Sequence, residues 1–205
     1  MKVIHPIANK LVAQIKSRNG KSISIADFLD FGPRAAVDQA LSRLVRQGTI
    51  RRVGRGLYAW PQYSTLLNQP ISPSPDDLAQ AWARQHGLRI IPSGAYAANL
   101  LGISTQVPAK IIYYTNGRTQ TVKLGSHSVK FLNRGPKTMD VTGQVAPHVF
   151  QALRYMGANG MTPSVISRLR RLLKPKDKAD LKRNLCRATG WMKPVLESIA
   201  KEEAI

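Results

Sequence analysis

Four polar side chains between residues 33 and 47 have the chemistry that reading a base sequence requires. Gln39, Arg43 and Arg46 follow one another at intervals of four and three residues, with Ser42 beside them, so all four share one face of a helix. A Gln amide can pair bidentately with adenine, and an Arg guanidinium with O6 and N7 of guanine. Ser42 and Arg46 can reach a base or a phosphate, depending on the tilt of the helix. This face predicts a helix that enters a DNA major groove.

The first turn of the same helix offers two more contacts. Arg34 stands at the helix start, where its charge can meet a phosphate. Ala35 lies on the outer face, where it could touch a thymine methyl group. The expected contact surface therefore extends along the whole helix.

A basic hairpin follows this helix. The segment TIRRVGRGLYAW is typical of two strands around a glycine turn, and it carries Arg51, Arg52 and Arg55. Glycines flank Arg55, so the hairpin tip can approach the sugar-phosphate backbone or enter a minor groove. Alternation along a strand puts Arg51 and Arg52 on opposite faces, so one of them can be a solvated residue rather than a contact.

The apolar pattern of the first 62 residues indicates how these side chains are positioned. The predicted elements are a helix over 3–18, a strand at 22–24, a short helix over 25–30 with Phe28 and Leu29 in the core, and the contact helix over 33–47. The apolar stripe of the contact helix consists of Val37, Ala40, Leu41, Leu44 and Val45. This order, with the hairpin after it, is that of a winged helix-turn-helix, which we expect over residues 1–62.

The rest of the chain predicts a linker and a second domain. Residues 63–75 are rich in proline and carry no charge, which indicates a linker or an extended strap. Residues 76–205 have the pattern of a mixed α+β domain that ends in helices. Its predicted helices start at Asp76, lie over 95–101, and lie near 147–156, 163–173, 177–188 and 191–202; its predicted strands are 110–115, 119–124 and 128–133. The expected fold class is therefore α+β.

The charge of the chain points to a polyanionic partner. Lys and Arg number 31 against 11 Asp and Glu, which gives a net charge of +20 spread along the whole sequence. Such an excess opposes compaction, and DNA, RNA or an acidic membrane surface would offset it. No apolar run approaches the roughly 18 residues of a membrane span, and the N-terminus does not resemble a signal peptide. The sequence predicts a soluble, cytoplasmic protein.

Basic residues are densest in the predicted C-terminal helices. This C-terminal basic set could add DNA contacts, clamp RNA or dock an acidic protein, although a solvated helix surface is the alternative. The single cysteine, Cys186, excludes an intrachain disulfide and is expected to be half-buried. The members of the set are Arg168, Arg170, Arg171, Lys174, Lys178, Lys182, Arg183 and Arg187.

Residues for catalysis or metal binding are sparse. Between residues 63 and 176 the only acids are Asp76, Asp77 and Asp140, and the first two fit a helix N-terminus, so a two-metal site lacks its ligands. Pro92-Ser93-Gly94 precedes a helix and could bind an anion, but an ordinary helix start is the preferred interpretation. We expect no enzyme activity, cofactor or metal. The histidines, which have no ligand spacing, are His5, His86, His127 and His148.

Two long segments resemble a known family. The stretch ADFLDFGPRAAVDQALSRLVRQGTIRRVGRGLYAWP is similar to AbiEi-type antitoxins of bacterial abortive-infection toxin–antitoxin systems, and within them to the DUF6088 branch. The segment IPSGAYAANLLGISTQVPAKIIYYTNG resembles the second domain of that group. The resemblance covers about residues 20–135. It implies an N-terminal winged helix-turn-helix with DNA contacts in the contact helix and hairpin, and a C-terminal antitoxin domain.

The resemblance also implies partners. One is a set of inverted repeats upstream of the protein's own operon. The other is a nucleotidyltransferase-like toxin, which a type IV antitoxin opposes without forming a stable complex. The expected function is an autoregulating repressor and antitoxin in phage defence, which could form a dimer on DNA. Two alternatives remain at this point: a regulator without a toxin, and an RNA-binding protein. Tyr113-Tyr114 is the one aromatic pair that could stack RNA bases, although strand alternation buries one of the two.

Overall fold

The computed structural model describes residues 6–17, 21–64, 66 and 68–201 and has the α+β class expected from the sequence. Contacts divide the chain into two compact units. Unit 1 comprises residues 1–88 together with 122–129, and unit 2 comprises 89–121 and 130–205. These limits differ from the boundaries at 62 and 75 expected from the sequence, because the helix after residue 75 packs within unit 1.

Unit 1 begins with three helical segments around one short strand. Helix α1 (Pro6–Ser17) precedes strand β1 (Ile23–Ser24), a 3₁₀ helix (Ile25–Phe31) and helix α2 (Arg34–Arg46). Strands β2 (Arg51–Gly54) and β3 (Leu57–Ala59) follow, and the antiparallel sheet has the order β1-β3-β2. Residues 1–5 and 18–20 lie outside the described residues, so the expected helix 3–18 is confirmed over 6–17.

The core of unit 1 is built by the helical apolar stripes. Helices α1 and α2 and the 3₁₀ helix pack on one another, as the period of about 3.6 residues predicts. Leu29, which we expected in the core, is 43 % exposed, so the 3₁₀ helix is held by Phe28. The buried side chains include Leu11, Ile15, Ile23, Phe28, Val37, Leu41, Leu44 and Ile50.

The expected linker contains a hairpin. Strands β4 (Gln62–Ser64) and β5 (Gln69–Ile71) pair antiparallel, and helix α3 (Pro75–Gln85) follows. Ser74 caps α3 by accepting the Asp77 N–H at 3.1 Å. Near the other end of α3, Arg84 Nε donates to Asp27 Oδ1 at 3.1 Å and Nη2 to the Ser22 carbonyl at 3.0 Å. These bonds fasten α3 to the first elements of unit 1.

A four-stranded sheet with the order β6-β7-β9-β8 follows in the chain. Its strands are β6 (Ile90–Pro92), β7 (Ile111–Thr115), β8 (Gln120–Leu124) and β9 (His127–Asn133), and helix α4 (Gly94–Leu100) lies between the first two. In unit 2, Tyr113 contacts the rings of Tyr96 and Phe131, with centroids 5.6 and 6.0 Å away. Tyr113 is fully buried and Tyr114 is not, which confirms the alternation expected for this pair.

Unit 2 ends in a helical layer. Helices α5 (Pro136–Met139), α6 (Ala146–Gly160), α7 (Pro163–Leu172), α8 (Pro175–Arg183) and α9 (Met192–Ala200) are joined by short turns, with a 3₁₀ helix at Leu185–Arg187. Their core includes Phe150, Leu153, Leu169, Leu181, Leu196 and Ile199. Gly157 has φ +68°, so the helical geometry of α6 is interrupted there, close to the expected end at 156. Cys186 is exposed, so the expectation of a half-buried thiol was wrong.

Helix α4 and helix α6 approach each other closely at Gly94. A Cβ atom at this position would lie 2.6 Å from the Tyr155 Cβ and 3.0 Å from the Gln151 carbonyl oxygen. The Ser93 side chain makes no capping bond, and α4 has only seven residues. The Pro92-Ser93-Gly94 segment is therefore a packed helix start, as the preferred interpretation of the sequence had it.

Candidate nucleic-acid interface

Helix α2 separates its apolar and polar faces cleanly. Val37, Ala40, Leu41 and Leu44 are buried, and Val45 is partly buried. Pro33 precedes the first turn, and Gly48 beyond the last turn adopts φ +70°, a left-handed conformation that suits glycine. The residues selected from the sequence for base or phosphate contact are all exposed, and they are Arg34, Ala35, Gln39, Ser42, Arg43 and Arg46.

An acidic side chain also lies on the exposed part of α2. Asp38 Oδ2 is 3.8 Å from Arg34 Nε, and both side chains are at least half exposed. An exposed pair at this distance contributes little to stability. A carboxylate in this position can accept a hydrogen bond from cytosine N4, and it repels phosphate. Sequence reasoning missed Asp38, although its position between Arg34 and Gln39 was a usable signal.

The hairpin β2–β3 carries three exposed arginines. Arg51, Arg52 and Arg55 are all solvent-exposed. Both Arg51 and Arg52 are exposed although alternation is expected to put them on opposite faces of β2, an edge strand whose register shifts only after Arg52. Arg52 also turns back along the hairpin, where its Nε donates to the Gly54 carbonyl at 3.3 Å.

The tip of the hairpin is a tight turn at Arg55 and Gly56. Gly56 has φ +70°, and a Cβ there would lie 2.9 Å from Gln85 Nε2 at the end of α3. Glycine therefore serves both the turn and the close approach of α3. The turn leaves the Arg55 side chain exposed beside α3.

Arg55 and Arg34 line one open cavity of about 410 Å³ in unit 1. Lys123 of β8 is exposed and lines the same cavity, as does His86, whose ring stacks on Trp82 with centroids 4.3 Å apart. His86 Nδ1 lies 2.8 Å from the Trp82 carbonyl oxygen. The cavity thus brings three cations from α2, the hairpin tip and β8 to one place. Neither Lys123 nor His86 had been selected, because nothing local in the sequence links them to Arg34 and Arg55.

The charges of this surface act on one buried tyrosine. Tyr58 of β3 is 6 % exposed, and burial raises the pKa of its hydroxyl above the usual value. Arg52 opposes the increase because its positive charge favours tyrosinate, and Asp38 adds to it. Residues of both α2 and the hairpin therefore face Tyr58.

The C-terminal basic set divides into paired and unpaired members. Arg170 donates to the carbonyl and hydroxyl of Ser198, both at 3.1 Å, and Lys178 Nζ donates to the Lys201 carbonyl at 3.3 Å. Arg183 pairs with the buried Asp180, and Arg187 Nη1 lies 3.5 Å from Asp140. These four link elements of unit 2 to one another or neutralise an acid. The exposed members of the set for which no such bond is seen in the described chain are Arg168, Arg171, Lys174 and Lys182.

The described part of the chain has neither a cluster of metal-binding side chains nor a helix suited to crossing a bilayer. No three His, Cys, Asp or Glu side chains there form a group that could hold a metal ion. His5 lies outside the described residues. No helix within 6–17, 21–64 or 68–201 combines the length and apolar character that crossing a bilayer requires.

Comparison with known protein families identifies a match. The model of a family of unknown function, DUF6088, matches residues 9–181. No protein with a curated description matches the chain. Because residues 9–181 are most of the sequence and include α2, the basic hairpin and most of unit 2, the chain belongs to the DUF6088 family.

Proposed function

We propose that this protein binds double-stranded DNA through a winged helix-turn-helix formed by α1, the 3₁₀ helix, α2 and the β2–β3 hairpin. The single observation that carries the proposal is the exposed face of α2, where Gln39, Ser42, Arg43 and Arg46 lie opposite a fully apolar inner face. The order of the elements and the sheet order β1-β3-β2 support the same reading.

In the proposed complex, α2 lies in the major groove. Gln39 and Arg43 read base edges, since their amide and guanidinium groups match adenine and guanine. Asp38 adds a preference for cytosine or rejects misplaced phosphates. The hairpin with Arg51, Arg52 and Arg55 is the wing, and it contacts the adjacent backbone or minor groove.

The cavity shared by Arg34, Arg55 and Lys123 is the proposed phosphate site of this interface. Three cations from separate elements meet there, so one phosphate group can be held from several sides. If six to eight phosphates are neutralised in all, the slope of log K against log salt concentration is about −5 to −7.

The biological role that we propose is repression of the protein's own operon together with antitoxin activity. This part rests on the resemblance to AbiEi-type antitoxins. Bound at inverted repeats, two protomers would block the promoter sterically. The toxin would be a nucleotidyltransferase-like protein from the same operon, and unit 2 would oppose it in the cytoplasm.

The decisive experiment is a fluorescence-anisotropy titration against the region upstream of the gene, repeated at several salt concentrations. Scrambled duplex and single-stranded RNA serve as competitors. We expect the upstream duplex to bind at least a hundredfold more tightly than either competitor, in line with the usual margin of specific over non-specific binding. Equal binding to scrambled DNA, or a preference for RNA, would refute the proposal.

Matched variants locate the interface. Arg43→Ala and Arg55→Ala remove predicted contacts, and Lys10→Ala removes an exposed charge from α1 of the same unit. Arg43→Ala should weaken specific binding and reduce discrimination, and Arg55→Ala should lower affinity for all duplexes and reduce the salt slope by about one. Lys10→Ala should leave the specificity ratio unchanged. Co-expression with the neighbouring gene tests the antitoxin role, and growth arrest that this protein does not relieve would refute that role alone.

A further inference from the structure

Unit 2 contains a second cationic cavity, separate in chemistry from the proposed DNA interface. It has a volume of about 320 Å³ and is lined by Lys137, Thr138, Arg154, Thr189 and Trp191. Its volume lies at the lower end of the range of about 300–1,000 Å³ that is typical of small-molecule sites. The lining contains two cations, two hydroxyl groups and an indole, and no acid.

Arg154 is the central group of this cavity. Its side chain is partly buried on α6, and in the described part of the chain it has neither an ion pair nor a hydrogen bond. Burial lowers the pKa of its guanidinium, which means that the charged form is incompletely solvated. Asp140, the residue that follows α5, is paired with Arg187 at 3.5 Å. A partly buried guanidinium without a counterion favours an anion from outside the chain.

The other lining residues indicate what else the ligand carries. Lys137 is exposed, so its ammonium group can reach an anion that Arg154 holds. Trp191 is 36 % exposed, which leaves part of the indole open to solvent. Indole faces stack on nucleobases, and hydroxyl groups such as those of Thr138 and Thr189 bind phosphate or sugar oxygens. An inorganic anion would use the cations and leave the indole without a role.

We propose that this cavity binds a nucleoside phosphate, with the phosphate held by Arg154 and Lys137 and the base stacked on Trp191. The same chemistry recognises a nucleotide free in solution and one unit of a single strand, and the test below distinguishes these two sources. The proposal does not depend on operator binding by unit 1.

Isothermal titration of the full chain tests the proposal with defined probes. These are AMP and CMP, the nucleosides adenosine and cytidine, inorganic phosphate, a single-stranded tetranucleotide and an acidic Glu-rich peptide. We expect at least one mononucleotide to bind at least tenfold more tightly than its nucleoside and than phosphate, since its phosphate and its base both contribute to binding. A tetranucleotide that binds more tightly still would identify a strand as the source, and equal or weaker binding would identify the free nucleotide.

Variants distinguish this cavity from general attraction to a chain of net charge +20. Lys137→Gln and Arg154→Gln should each weaken mononucleotide binding at least fivefold. Trp191→Leu should lower the affinity for the mononucleotide by a factor of roughly five to a hundred, which is the contribution of one stacked base. It should leave the affinity for phosphate unchanged. Arg171→Gln, which removes an exposed charge from α7, is the matched control and should have no effect.

Three results would overturn the proposal. One is mononucleotide binding no tighter than that of phosphate. Another is an equal loss of binding in Arg171→Gln and Lys137→Gln, which would show that only the net charge matters. The third is tighter binding of the Glu-rich peptide than of every nucleotide, which would assign the cavity to an acidic protein. Because the Lys137 side chain is exposed, Lys137→Gln keeps the test valid even if Arg154→Gln or Trp191→Leu does not fold.

Discussion

The basic residues of the two units stand in different surroundings. In unit 1, those on α2 and the hairpin are exposed, and Arg34 and Arg52 are the ones with a contact inside the chain, to Asp38 and to the Gly54 carbonyl. In unit 2, Arg170, Arg183 and Arg187 bind Ser198, Asp180 and Asp140. Charge density alone had suggested similar roles for both sets.

The difference shows which observation separates a binding surface from a structural one. An arginine that already donates to a carbonyl or pairs with an acid must give up that bond before it contacts a partner, so its contribution to binding is reduced. An exposed arginine beside other exposed cations has no such cost. The comparison therefore favours the proposed role of α2 and the hairpin in recognition, and a structural role for Arg170, Lys178, Arg183 and Arg187.

The largest effect that we expect concerns the polar network of unit 2. Asn184 is 2 % exposed; its Oδ1 accepts the Thr142 N–H at 3.0 Å, and its Nδ2 donates to the carbonyls of Thr142 and Asp180 at 3.1 and 2.7 Å. Asn184→Ala removes the partners of the partly buried N–H and carbonyl of Thr142 and should cost about 3 kcal/mol of unfolding free energy. Thermal denaturation should then show a Tm lower by about 6–12 °C.

The control for this prediction is Asn159→Ala, at an exposed position in the last turn of α6. It should change the Tm little, because surface substitutions usually lie within about 0.5 kcal/mol of neutral. Equal behaviour of the two variants would mean that the Asn184 network does not hold unit 2 together.

The second prediction contrasts binding with stability at Arg43. Arg43→Ala should weaken operator binding by about 2 kcal/mol, which is close to thirtyfold. Its unfolding free energy should stay within about 0.5 kcal/mol of the wild type, because the side chain is exposed and no bond from it to the described chain is seen. The pair of measurements is anisotropy with the upstream duplex and denaturation in urea. A large loss of stability in Arg43→Ala would show that Arg43 has a structural role, as Arg170 does.

The third prediction concerns two adjacent residues of α7. Arg170 donates twice to Ser198 of α9, whereas Arg171 is exposed. Arg170→Ala should lower the unfolding free energy by about 1.5 kcal/mol, since two charge-assisted bonds between helices are lost, and Arg171→Ala should be nearly neutral. Urea denaturation of both variants measures the difference. Similar unfolding free energies for the two variants would show that the C-terminal basic set does not divide into structural and solvent-exposed members.

Local periodicity made part of the structure predictable. The register of α2 follows from its sequence alone, since Val37, Leu41 and Leu44 can be buried together only if Gln39 and Arg43 face outward. The same reasoning located the strands β7, β8 and β9 to within one residue at each end. Strand β6, whose three residues include Pro92, and the single turn α5 are too short for a periodic signal.

Contacts between residues distant in the sequence were not predictable from it. The exposure of both Arg51 and Arg52 goes with the position of β2 at the edge of its sheet, which the alternation rule does not contain. Lys123 lies beside Arg55 only because unit 1 includes residues 122–129. Likewise, Arg170 finds its partner 28 residues later in α9. The same composition could have left each of these side chains in solvent.

The smallest effect concerns Arg52, which makes a contact inside the hairpin. Burial holds the pKa of Tyr58 above its usual value of about 10, and the charge of Arg52 lowers it. Below pH 10 the folded and unfolded chains both keep the Tyr58 proton. Above that pH the unfolded chain loses it first, so stability falls as the pH rises toward the folded pKa. Arg52→Gln should move this titration to higher pH, and Asp38→Asn should move it to lower pH.

Ultraviolet absorbance of tyrosinate measures the titration, and Tyr58→Phe identifies the band that belongs to this residue. Opposite shifts in Arg52→Gln and Asp38→Asn would show that α2 and the hairpin hold fixed positions over Tyr58 without DNA. A surface already held in place loses little conformational freedom when it binds, so the specificity of Gln39 and Arg43 would then require little reordering of the protein. Identical titrations in both variants and the wild type would show instead that the arginine moves freely, and would place the ordering of the wing in the binding step.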